Sequence, residues 1–210
     1  MIIFDLDGTL WDTTIATFSA SKNIAKKYKI DKVSKEQVVR GMGLTFIENA
    51  INYFPNYDIE KAKKYLIEMN NECQKIISLN NVTIYEGTKK IIKELSKEFK
   101  LGIITNNSNE YINTFFKITG LQDYFSDYIG TSNYGISKGE AITLMLKRNN
   151  ETNAIYVGDT LNDKKQTQIA NQKFIYAKYG FGKIEDYDYV INNIHELPKI
   201  IKKLGGIKNE

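Results

Sequence analysis

Apolar residues follow two different rhythms along this chain. In the first, short apolar runs end in Asp, Thr or Gly and are each followed by a helical stretch. Met1-Ile2-Ile3-Phe4 leads to Asp5, Leu101-Gly102-Ile103-Ile104 to Thr105, and Ala154-Ile155-Tyr156-Val157 to Gly158-Asp159. Lys173-Phe174-Ile175-Tyr176-Ala177 and Asp188-Tyr189-Val190-Ile191 have the same character. Near-continuous apolar runs separated by helices indicate a parallel sheet covered on both faces. Between them, Ile91, Ile92, Leu95 and Phe99 form one helical stripe, and Ile142, Leu144, Met145 and Leu146 a looser one.

The second rhythm fills residues 15–82 and reads as helix throughout. Ile59, Ala62, Leu66, Met69, Cys73 and Ile76 step by three or four residues, which puts them on one face of a long helix. Asp58 stands where an N-cap belongs, and Gly41-Met42-Gly43 interrupts the helical pattern with a loop. The expected architecture is an α/β, Rossmann-like, doubly wound parallel sheet with an inserted helical cap. The core comprises residues 1–14 and 83–210, and the cap residues 15–82.

Composition narrows the classes. In 210 residues, 42% are hydrophobic and 26% charged, the balance of an ordinary globular protein. No apolar run approaches the ~18 residues of a membrane span, and the N-terminal run is broken by Asp5 and Asp7, so neither a membrane segment nor a signal peptide is expected. The single cysteine, Cys73, excludes an internal disulfide framework and fits a reducing, cytoplasmic compartment. The net charge of +4 raises the question of nucleic acid, but Arg40 and Arg148 are the only arginines among 29 basic residues. The lysines are scattered along helices rather than gathered in a block, so no nucleic-acid partner is expected. One histidine, His195, leaves no room for a histidine metal cluster or a Ser-His-Asp triad.

Ligands of parallel α/β sheets bind at the carboxyl ends of the strands. Those ends carry Asp5-Leu6-Asp7-Gly8-Thr9, Thr105-Asn106 and Gly158-Asp159-Thr160-Leu161-Asn162-Asp163. Four carboxylates drawn together would repel one another unless a hard cation sat among them, and Mg²⁺ takes carboxylates together with water and phosphate oxygens. A carboxylate can attack phosphorus itself, and a second acid two residues on can serve as proton donor and acceptor. Lys138, opening a helix, is the candidate cation for the phosphoryl group.

These four elements, in this order and over essentially the whole chain, resemble the motifs of the haloacid dehalogenase-like hydrolase superfamily. The helical insert after the first motif is similar to the cap of the phosphoglycolate phosphatase and β-phosphoglucomutase branch. The resemblance implies a phosphatase acting on a small phosphorylated metabolite through an aspartyl-phosphate. Asp5 would be nucleophile and Mg²⁺ ligand, and Asp7 general acid/base and metal ligand through its backbone carbonyl. Thr105, Asn106 and Lys138 would bind phosphate, and Asp159 and Asp163 would complete the metal site. Gly139 follows Lys138 where many members have proline, so Lys147 stands as a rival; the apolar helix that follows favours Lys138.

Plainer roles compete at several positions. Asp7-Gly8 suits a turn, Thr105-Asn106 a cap for a helix beginning near Glu110, and Asp163 a first-turn helix acid. Trp11 and Cys73 suit the core, and His195 the surface of a C-terminal helix. Arg40, Gly41 and Gly43 are either a substrate-facing cap loop or a simple interhelical turn. A sugar-phosphate mutase is the alternative chemistry, though its second motif tends to read Ser-Ala-Ser rather than Thr105-Asn106-Asn107. A non-catalytic binding module would have no need of both Asp5 and Asp7. Dehalogenase and phosphonatase branches lack an aspartate at the Asp7 position.

Overall fold

A computed structural model describes residues 1–79 and 81–205 of the chain. In chain order, the first elements are β1 (Ile2–Phe4), β2 (Trp11–Asp12), α1 (Thr14–Tyr28), α2 (Lys35–Gly41), α3 (Phe46–Tyr53) and α4 (Ile59–Ser78). Next come β3 (Thr83–Ile84), α5 (Thr88–Leu95), β4 (Leu101–Thr105), α6 (Asn109–Thr119), β5 (Asp127–Gly130) and α7 (Thr131–Tyr134). The chain continues through α8 (Lys138–Asn149), β6 (Ile155–Gly158), α9 (Leu161–Ile169), β7 (Lys173–Ala177), β8 (Val190–Ile191) and α10 (Leu197–Lys203). Two compact units result: Met1–Trp11 with Ile84–Glu210, described as far as residue 205, and Asp12–Thr83.

The first unit is built on a six-stranded sheet of order β5-β4-β1-β6-β7-β8 in which the recorded pairings are parallel. Every residue of β1, β4 and β6 is buried, as helices packed along the sheet require. From β1 the chain winds outward through β4 to β5, then returns to β6 on the other flank of β1. The winding therefore reverses beside β1, and the carboxyl end of β1 is where such a sheet opens a binding crevice. Met1, Ile3, Ile104, Ile129, Ile142, Met145 and Tyr156 pack into one core under that edge.

In the second unit α1 packs against α4, and α3 against α2 and α4. The interior includes Ala16, Ala20, Ile24, Leu66, Met69, Cys73 and Ile77. The stripe on α4 differs from the expected one at both ends: Ile59 is exposed, and Ile77 replaces the half-buried Ile76. Ile77 lies four positions after Cys73, the spacing that keeps a side chain on the same face of a helix. Asp58 caps α4 by accepting from the Lys61 N–H at 2.9 Å. Gly41 ends α2 against α3: a β-carbon there would lie 2.2 Å from the Tyr53 hydroxyl. Its carbonyl accepts from Asn49 Nδ2 at 3.0 Å, so this glycine is required by a close approach within the unit. Arg40 donates from Nε to Asn52 Oδ1 at 2.6 Å, and Gly43 takes a φ of 83°.

Other details depart from the sequence reading. Strand β5 and the small β2–β3 sheet are additional, and within Asp188–Ile191 only Val190–Ile191 is strand. Helix α6 is capped by Ser108, which accepts from the Tyr111 N–H at 3.4 Å, rather than by Thr105-Asn106. His195 lies exposed in a 3₁₀ turn, Ile194–Glu196, just before α10 instead of within a helix. Among the described residues no helix is long and apolar enough to cross a membrane.

Candidate active site

The strand ends bring three carboxylates to one place. Asp5 leaves β1 with its N–H donating to Val157 O at 2.8 Å, which seats it beside the end of β6. Asp159 follows β6 directly, and Asp163 lies in the first turn of α9. Each of the three offers an oxygen within 4.8 Å of the others. Asp5 is 3% exposed and Asp159 and Asp163 are 0% exposed.

Local chemistry fixes each of them. Thr160 and Asp163 form a capping box: the Thr160 hydroxyl and N–H donate to Asp163 Oδ2 at 2.6 and 3.0 Å. The first-turn helix role of Asp163 and its place in the site are therefore held together. Asp159 Oδ2 accepts from the Phe181 N–H at 2.7 Å, whereas Asp159 Oδ1 is buried with no hydrogen-bond partner. Gly8 is held at φ 81°, and a β-carbon on it would fall 2.2 Å from the Asp159 carboxylate. Only glycine allows the Asp5–Thr9 turn to approach so closely.

Lys138 completes the cluster. It opens α8 behind a Ser137–Glu140 capping box, and its Nζ lies 2.8 Å from Asp5 Oδ1 and 2.6 Å from Asp163 Oδ1. Burial alone would lower its pKa, but the Asp163 and Asp5 carboxylates outweigh burial and hold the ammonium well above its ordinary value. Lys147, the rival lysine, is exposed on the same helix. Burial, with Asp163 adding repulsion, pushes the Asp5 carboxyl up to about 7 against the partial relief given by Lys138. Burial and the Asp163 and Asp5 charges likewise raise Asp159 well above its ordinary value.

A divalent cation fits this donor set. Three buried carboxylates converge, two of them resist ionisation because they are buried beside one another's charge, and Asp159 Oδ1 is an acceptor with nothing to accept from. Thr105 is buried at the end of β4, and Asn106 is half-buried just beyond it on the same edge. Their loop is pinned where Asn109 Oδ1 accepts from the Gly130 N–H of β5 at 2.7 Å.

The Asp7 carboxylate stands outside the triad. Its Oδ1 accepts from the Tyr111 hydroxyl at 2.6 Å and its Oδ2 from Asn107 Nδ2 at 3.2 Å. Neither donor emerges from the sequence reading. The available signals were slight: Asn107 directly follows Thr105-Asn106, and Tyr111 is a polar-tipped aromatic in the first turn of the helix after that loop. Trp11 is core, edge-on to Tyr111 and Phe115 with centroids 5.3 and 5.2 Å away. Cys73 is core in the helical unit, its Sγ 3.5 Å from Thr17 Oγ1.

Comparisons with known proteins converge on one family. The haloacid dehalogenase-like hydrolase family model matches residues 2–177, and the chain belongs to that family. It is 24% identical, over 98% of its length and 98% of the relative's, to a protein of Bacillus mycoides named pyrophosphatase PpaX. It is 22% identical to a phosphoglycolate phosphatase of Photobacterium profundum, covering 96% of this chain and 95% of that one. A solved haloacid dehalogenase-like hydrolase of Streptococcus pneumoniae shares the fold with a TM-score of 0.82 at 17% identity, over 95% of this chain and 97% of the other.

Proposed function

We propose that the chain is a Mg²⁺-dependent phosphatase of small phosphomonoesters, similar to phosphoglycolate phosphatases, that works through a phosphorylated Asp5. The observation carrying this reading is the buried cluster of Asp5, Asp159, Asp163 and Lys138 at the β1 edge. A folding chain gains nothing from gathering like charges there. Asp5, Asp159 and Asp163 would hold the cation, with the Asp7 backbone carbonyl. Bound there, Mg²⁺ supplies positive charge to the carboxylates and to the phosphate oxygens.

This chain's own groups carry the steps. A carboxylate oxygen of Asp5 attacks phosphorus, the bond from phosphorus to the ester oxygen breaks, and that oxygen takes a proton from Asp7. Water then attacks phosphorus and gives a proton to Asp7. The bond to Asp5 breaks, releasing inorganic phosphate and restoring the carboxylate. Thr105, Asn106 and Lys138 fix the phosphoryl group during both transfers. None of these groups belongs to Asp12–Thr83, so the helical unit acts in this reading as a cap that selects substrates, with Arg40, Gly41 and Gly43 as its candidate loop.

Relatives named pyrophosphatase add inorganic pyrophosphate to the substrates worth trying. The test is phosphate release from a panel containing phosphoglycolate, sugar phosphates and pyrophosphate, with Mg²⁺ and with excess chelator. Turnover of at least one phosphate compound that stops in chelator supports the reading. Undiminished turnover in chelator, or none on any phosphate, contradicts it.

A further inference from the structure

The two oxygens of Asp7 are occupied by donors that reach it from one loop–helix segment. Asn107 lies in the loop leaving β4 and Tyr111 in the first turn of α6, and they grip Asp7 Oδ2 and Oδ1 at 3.2 and 2.6 Å. The Tyr111 ring is itself held: the residue is 6% exposed, Trp11 meets it edge-on at 5.3 Å, and Trp11 is buried against Phe115 in turn. Ser108 fixes the backbone beneath the ring by accepting from the Tyr111 N–H. The hydroxyl therefore has little freedom to point elsewhere, while Asp7 is only half-buried and would otherwise swing between rotamers.

We propose that Tyr111, assisted by Asn107, is a positioning residue for Asp7, fixing the carboxylate's orientation toward the leaving group and the attacking water. The inference rests on Asp7 being the acid/base of the reaction proposed above. A group that transfers protons in both half-reactions gains most from a fixed direction, because small displacements are costly in proton transfer. Thr105 and Lys138 hold the phosphoryl group; Tyr111 instead acts through Asp7, and its removal should mark the steps in which Asp7 moves a proton.

The experiment compares Tyr111→Phe, Asp7→Asn and the double variant on an alkyl phosphate and on p-nitrophenyl phosphate, whose leaving group needs no proton. Tyr111→Phe keeps the ring that Trp11 packs against and removes only the hydroxyl. It is expected to lower kcat on the alkyl ester about tenfold and on the aryl ester less than about twofold, with KM nearly unchanged. In the Asp7→Asn background the same change is expected to add almost nothing, because the hydroxyl then has no carboxylate to aim. Equal losses on both esters from Tyr111→Phe, with Asp7→Asn still selective for the alkyl ester, would overturn the positioning role and leave the acid/base reading intact. Equal losses from Asp7→Asn itself would remove that reading, and this inference with it. If Tyr111→Phe folds poorly, as judged by its melting curve, Asn107→Ala carries the same comparison from the other oxygen, with a smaller selective loss expected and an equal loss overturning the proposal.

Discussion

The helical unit fills its interior with Ala16, Ile24, Leu66, Met69, Cys73 and Ile77, and no Asp, Glu, Lys or Arg is buried there among the described residues. The α/β unit buries apolar residues just as thoroughly, yet it also buries Asp5, Asp159, Asp163 and Lys138 side by side. Folding alone explains the first interior, since apolar burial is what stabilises helices packed on one another. It does not explain the second, because gathering carboxylates out of water costs stability even with one lysine among them. Within a single chain, then, the helical unit shows what stability requires, and the charged edge of the sheet shows what chemistry adds at the expense of stability.

The sharpest way to break the contrast is Asp5→Asn. The amide cannot attack phosphorus, and kcat is expected to fall by about 10³ or more. One repelling carboxylate disappears from the cluster, so the melting temperature of the metal-free protein should hold or rise. A variant both slower and clearly less stable would place Asp5 among the structural residues. Leu66→Ala is the reverse case: it should cost about 2–5 kcal/mol in urea unfolding. On the folded protein, kcat with p-nitrophenyl phosphate should be nearly unchanged. A large fall in kcat there would show that the helical interior and the chemistry are not separable.

A subtler test uses pH. The Asp5 carboxyl, pushed up to about 7 from an ordinary 3.8, holds its proton more tightly folded than unfolded. Its contribution to stability is therefore intact below about pH 4 and is lost as pH rises through about 7. Asp159, also raised, acts with the same sign. Lys138, held well above its ordinary value, stays charged throughout that window. The metal-free protein should melt at progressively lower temperature from pH 4 to pH 7. Added Mg²⁺ should raise the melting temperature more at pH 8 than at pH 5, where protons compete for the carboxylates. A flat profile, or an equal Mg²⁺ shift at both pH values, would dissolve the contrast between the two interiors.

The strands most legible in the sequence are β1, β4 and β6, because burial on both faces writes an unbroken apolar run. Strand β5 escapes the same reading: it starts on Asp127, its first two residues are only partly buried, and Tyr128 and Ile129 alone carry its apolar signal. On α4 a periodic pattern identifies the buried face but not its last residue, since Ile76 and Ile77 are equally apolar and only packing chooses Ile77. Asp5, Asp159, Asp163 and Lys138 were legible because local elements, strand ends and a helix start, carry them to the same edge. The grip of Tyr111 on Asp7 was not, because it joins positions 104 apart in sequence through the packing of α6. No local pattern encodes such a contact, and tyrosine in a helical first turn reads equally well as ordinary core.

If the buried charges exist for phosphoryl transfer, the phosphoryl group must pass through Asp5. The direct measurement is acid-quenched turnover followed by peptide mass analysis of the N-terminal segment, with substrate and Mg²⁺ present. One added phosphoryl group is expected on Asp5, formed and lost at rates consistent with turnover and missing in Asp5→Asn. Continued turnover with Asp5 never modified under conditions that preserve acyl phosphates, or a phosphoryl group on another residue, would contradict the assignment of Asp5 as nucleophile.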